Sequence, residues 1–278
     1  MIPSRFRVVL HFLLLLMFSP IGAAMSQPFI SDFTGASSGL AQAIHDADTQ
    51  AVVRLLEDGA DPNARGQGGA TPTMFAASRT EGAEVLRLLL EAGGDPNLTD
   101  DQGHSATTLA LLATRSPWQK YFDPDATYPL SVVLEAGGNP DAVFPDGDPA
   151  VFWALNKVDG DMIRLLIEHG ADPNIKGRTE RPVVVNAALT GYWNPVRALV
   201  ESGADWRRVD RGLSVPGLLT DADQVMNKDS KAYQDLLAVR KAVEDAGMIL
   251  PAPGPRDVNL REGRMMNDGT VVPLGTDE

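Results

Sequence analysis

The side chains most able to do chemistry are scattered. Apart from His11 near the N-terminus, the histidines are His45, His104 and His169, each in a separate segment, and the chain has no cysteine. Disulfides, thiolate metal sites and cysteine nucleophiles are therefore excluded, and no histidine has the neighbours of a nucleophile–base pair. His169 directly precedes Gly170, the place where a cation meets the last carbonyls of a helix. The carboxylates Asp100 and Asp101, and Asp141, Asp146 and Asp148, could offer oxygen ligands to calcium, but neither group has the alternating ligand spacing of an EF-hand loop. The pair Gly68-Gly69 lacks the strand and lysine context of a phosphate-binding loop. The expectation is a protein that is not an enzyme, with no cofactor and no metal. A metal-dependent hydrolase using Asp101 and Asp146 is the reading of another class.

Charge narrows the partners. With 24 basic and 37 acidic residues among 278, the net charge is −13, which repels a phosphate backbone and argues against nucleic acid. A hydrophobic content of 44% supports a sizeable packed core. Arg5 and Arg7 precede the twelve-residue run 8–19, which is apolar but for His11 and Ser19, and Gly22, Ala23 and Ala24 follow. That layout predicts a secretory leader at 1–24, cut after Ala24, with a cut after Ser26 as the alternative. A run of twelve falls short of the roughly 20 residues that cross a bilayer, so no stable membrane insertion is expected after cleavage. Loss of two arginines and no acid takes the charge from −13 to −15, and the expected location is the periplasm or the exterior.

The elements that position these residues recur. Turns begin at Gly59, Gly93, Gly137, Gly170 and Gly203, which lie 34, 44, 33 and 33 residues apart, the 44 being a 33-residue period lengthened by 11. Each follows an amphipathic run, such as Val85 to Glu91 or Ile163 to Glu168, and glycine after such a run ends a helix in the left-handed conformation. Twelve residues after each of the first four glycines a second helix starts, at Thr71-Pro72, Ser105-Ala106, Pro149-Ala150 and Pro182-Val183, with capping and first-turn residues suited to a helix start.

The Thr71-Pro72 start and the Gly-Ala-Asp-Pro-Asn turns at 59–63 and 170–174 resemble those of ankyrin repeats, in particular exported, bacterial-type ankyrin-repeat proteins. Pro149, Pro182 and Val215 stand where that family has Thr, and Trp206 replaces the proline of the last turn. The resemblance implies an all-α solenoid of about six helix-turn-helix units with finger-like turns. Its expected layout is a linker at 25–39, repeats at 40–247 with an insertion near 115–128, and a Pro/Gly-rich tail at 248–278. A period of this kind also demands capping units at both ends.

The resemblance further implies a concave face of turn tips and first helices that binds another protein. Position in the repeat selects Arg79, Asp101, His104, Phe144, Asp146, Asn156, Lys157, Arg178, Arg207, Arg208 and Arg211 as contacts. The insertion adds Trp118, Tyr121 and Phe122, and the fifth unit adds Tyr192 and Trp193, because aromatics bury large areas while freezing few rotors. The acidic chain is expected to act as a monomer on a basic protein partner, sequestering or inhibiting it, as an immunity protein does with a basic toxin or lipase. An accessory factor supporting an exported or stress-response enzyme is the alternative.

Overall fold

The computed structural model describes residues 30, 33–80, 82–113 and 129–252. The expected leader, the aromatic insertion, the tail beyond 252 and residues 25–29, 31 and 32 of the linker lie outside the described residues.

The described chain forms six helix pairs: α1 (Ala36–His45) with α2 (Thr49–Glu57), α3 (Pro72–Ala77) with α4 (Ala83–Glu91), and α5 (Ala106–Ala113) with α6 (Pro129–Glu135). The remaining pairs are α7 (Ala150–Asn156) with α8 (Gly160–Glu168), α9 (Val183–Leu189) with α10 (Trp193–Glu201), and α11 (Val215–Val225) with α12 (Lys231–Asp245). The first helix of each pair packs on the first helix of the next, from α1 to α11, making one row. The second helices make another row, close from α2 through α4 to α6 and again from α8 through α10 to α12, and loosest between α6 and α8.

Local sequence explains the starts. The hydroxyl of Thr71 accepts from the Met74 amide at 3.2 Å with Pro72 at the first helical position, and the Asp159 carboxylate caps α8 by accepting from the amides of Asp161 and Met162. Where proline takes the capping place, at Pro149 and Pro182, no side chain caps the helix. In the last unit Ser214 is the cap, accepting from the Gly217 amide at 3.2 Å; the constant spacing had put Val215 there. That finger is one residue shorter because β1 (Val209–Asp210) and β2 (Leu213–Ser214) pair antiparallel around Arg211 and Gly212, both at positive φ, the two-residue hairpin turn that matches strand twist.

The second turn glycine has a separate reason. A Cβ on Gly94 would stand 2.5 Å from Thr73 Oγ1 and 2.8 Å from the Leu89 carbonyl, so the turn of one unit can lie directly on the helix start before it. The core runs as a strip between the rows, with Leu40, Phe75, Leu86, Leu89, Ile163, Leu166, Val184 and Leu199 buried; each such side chain contributes about 1.5–3 kcal/mol. Beyond the expected end of the repeats, Met248 and Leu250 still pack on this core, and the Ala252 amide donates to Thr220 Oγ1 at 3.1 Å.

Candidate functional site

The finger turns are built as a ladder. Aspartates at the starts of the turns take the amide two residues on, as Asp95 does from Asn97 at 2.8 Å, forming Asx turns. Asparagines then tie unit to unit. Asn63 donates to the Gly93 carbonyl at 2.9 Å and accepts from the Asp95 amide at 2.8 Å, and Asn97 does the same with Gly137 and Asn139.

Most of the charged tip residues expected to contact a partner have partners within the stack. Arg178 lies 3.6 Å from Asp146 and 3.5 Å from Asp148 of the preceding finger, and Arg181 donates to Asp210 of the next at 2.7 Å. Arg208 sits 3.4 Å from Asp205, and Arg211 4.0 Å from Asp210. Arg207 lies 4.1 Å above the Trp206 ring and donates to the Ala246 carbonyl. Acidic residues of one finger thus pair with basic residues of its neighbour, joining the third unit to the fourth and the fourth to the fifth. The same engagement of Asp146 and Asp148 bears on the hydrolase reading, and among the described residues no group of three or more histidine and acidic side chains comes together as a metal site.

The structure separates the other expected contacts by burial. Phe144 is buried and stacks on Trp153 with centroids 4.5 Å apart. His104 is buried with its ring 3.2 Å from Asp100, whose other oxygen takes the His104 amide. Trp193 is buried at the start of α10. Arg79 is half-buried, donating to the His45 carbonyl at 2.9 Å over the Phe75 ring. Lys157, at the end of α7, is half-buried, and that burial pushes its amine below the usual lysine range. Asp101, Asn156 and Tyr192 are exposed. Trp118, Tyr121 and Phe122 lie outside the described residues.

What the structure adds is a set of exposed apolar side chains on the fingers and at the end of α9, besides Val225, Leu237 and Ile249 in and after the last unit. Val143 and Val209 occupy equivalent finger positions and are 53% and 66% exposed; Leu189, the last residue of α9, is 38% exposed, and Tyr192 beside it 54%. Among the described residues, none of the second helices from α2 to α10 carries an exposed large hydrophobic. Val143 and Val209 are not among the contacts expected from sequence, although the 33-residue period places Val143, Lys176 and Val209 in register. A shallow cleft of about 330 Å³ also opens where the first and second helices join, lined by Tyr192, Trp193, Asp159, Asp161, Lys231 and Asp235.

Two family models match the chain: one for ankyrin repeats in many copies, over residues 38–110, and one for a single ankyrin repeat, over residues 146–178. Comparison with curated proteins finds no match. Among the described residues, no helix is long and apolar enough to cross a membrane. Paired helices in two rows, glycine turns in register and the two family matches lead to one conclusion: the chain is an ankyrin-repeat protein, a scaffold for protein–protein interaction.

Proposed function

We propose that this scaffold is exported by residues 1–24 and sequesters or inhibits a basic protein partner docked on the face of finger turns and first helices. The observation that carries the reading is the exposure of Val143 and Val209 at equivalent places on the fingers and of Leu189 and Tyr192 at the end of α9, apolar area that a partner can remove from water. The tip charges are held by their neighbours, so their role is to fix the fingers that present these groups. The net charge of −13 favours a basic partner and speeds its approach at low salt. Inhibition of a basic toxin or lipase, as by an immunity protein, is the form of action this reading favours, and an accessory role differs from it only in the sign of the effect on the partner.

The test compares capture by residues 25–278 with three variants. Val143→Asp and Leu189→Asp are expected to lose a specific partner from an extracellular or periplasmic extract, while Arg87→Asp on α4 keeps it. The recovered partner is expected to lose activity when the scaffold is added back. Equal capture by all four proteins would reject the face, and a gain in partner activity would reject inhibition.

A further inference from the structure

The asparagine ladder has two full rungs, at Asn63 and Asn97; Asn174 only accepts the Asp205 amide, at 2.8 Å, and one place in the ladder holds no asparagine. Asn63 and Asn97 each give a side-chain N–H to the glycine carbonyl of the next turn and take an amide from it. At the equivalent place in the third unit stands Asp141, whose two carboxylate oxygens both lie on the same Asp172 amide, at 3.1 and 3.3 Å. An ionised carboxylate has nothing to donate. The Gly170 carbonyl, which corresponds to Gly93 and Gly137, therefore gets no side-chain hydrogen bond there. This rung falls at the junction where α6 and α8 are loosest in the second row, so little packing compensates.

The geometry points to an acid-tightened joint between the third and fourth units: with a proton on its carboxyl, Asp141 donates to the Gly170 carbonyl and still accepts from the Asp172 amide, making the rung that Asn63 and Asn97 make. The surroundings favour that proton. Burial, then the nearby Asp172 carboxylate, raise the Asp141 carboxyl above its usual range, against the opposing pull of the Asp172 amide. Within its own turn Asp141 donates its amide to Asn139 Oδ1 at 2.9 Å, and the preceding turn faces it with the neutral Asn97. Asp172 is the charged group of the following turn, with one oxygen held by the Asn174 amide at 2.8 Å. His169 caps α8 one residue before Gly170. Among the described residues no basic side chain pairs with Asp141.

The sign follows from linkage. A carboxyl with a raised folded value stabilises the joint fully below its unfolded range, and that contribution is lost as pH rises through the folded value. Val143 lies on one side of this joint and Leu189 on the other, so the spacing of the two exposed apolar groups depends on it.

The experiment is hydrogen exchange on the full chain, followed in peptides spanning 136–148 and 168–176 and corrected for intrinsic rates, at about pH 7 and about pH 3.5, above and below the ordinary carboxylate value. Wild type is expected to gain about three- to tenfold protection at the acid value, the size of one hydrogen bond. Asp141→Asn is expected to have that protection already at neutral pH and to show no acid gain in these peptides. Asp141→Ala is expected to show low protection at both values. An acid gain that survives in Asp141→Ala, or an asparagine variant no better protected than wild type at neutral pH, would overturn the assignment.

Discussion

Several residues that looked like contacts turn out to hold the stack together, and substitutions at them should read out as stability. Phe144 is buried against Trp153 at 4.5 Å, so Phe144→Ala is expected to cost about 3 kcal/mol in urea unfolding. The fluorescence of that unit should shift to the red as Trp153 gains water; an unchanged midpoint would mean the finger repacks. Arg79 lies over Phe75 and donates to the His45 carbonyl, and Arg79→Ala is expected to cost about 1 kcal/mol, one hydrogen bond plus lost stem packing. Residue type alone could not reveal these roles. Aromatic and charged side chains serve equally as anchors and as core, and first helices of six to eight residues in the repeats make too few turns for periodicity to tell a packed face from an open one.

Elements were far more legible. Helix ends follow from glycine, and starts from Thr71, Asp159 or Ser230, each of which accepts a backbone amide as a cap, so five turns in register were visible in the letters. The slip from Val215 to Ser214 was not, because it depends on a hairpin turn at Arg211 and Gly212 whose backbone lies in the left-handed region, which a constant spacing does not encode. Gly94 offers a test at this scale: its Cβ would press on the Leu89 backbone, so Gly94→Ala is expected to cost about 1–3 kcal/mol as overpacking, measured by thermal unfolding. At the other end, α12 is fastened to α11 through Asp223, which accepts from the Tyr233 hydroxyl at 2.6 Å and from Arg240 at 3.1 Å. The Tyr233 hydrogen bond first, then the charges of Lys228 and Arg240, hold its carboxyl below the usual range. This contribution is present above the unfolded carboxylate value and lost as pH falls through the folded one. The cap therefore weakens in acid while the joint at Asp141 tightens, and hydrogen exchange in α12 peptides should fall in protection on acidification, with Tyr233→Phe reducing that response.

At the scale of the molecule, each unit buries its apolar strip only against its neighbours, so the two end units decide whether the stack stays closed. Removing residues 230–278 would uncover the side of α10 and α11 on which Tyr233, Leu236, Val239 and Val243 are packed, and is expected to increase exchange throughout the fifth unit while leaving the first two unchanged. Cross-unit ion pairs such as Arg178 with Asp148 and Arg181 with Asp210, 30 and 29 residues apart, follow from the period, yet residue type alone does not tell a charge paired across units from one open to a partner. The account stands on a single face being the docking surface. Site-specific photocrosslinking tests it most directly, with benzoylphenylalanine placed in separate proteins at Val143, Leu189 and Val209 and, on the second helices, at Arg87 and Glu168. A protein adduct of one mass at the first three positions and none at Arg87 or Glu168 is the predicted result; adducts of equal yield on both sides, or only at the second helices, would contradict it.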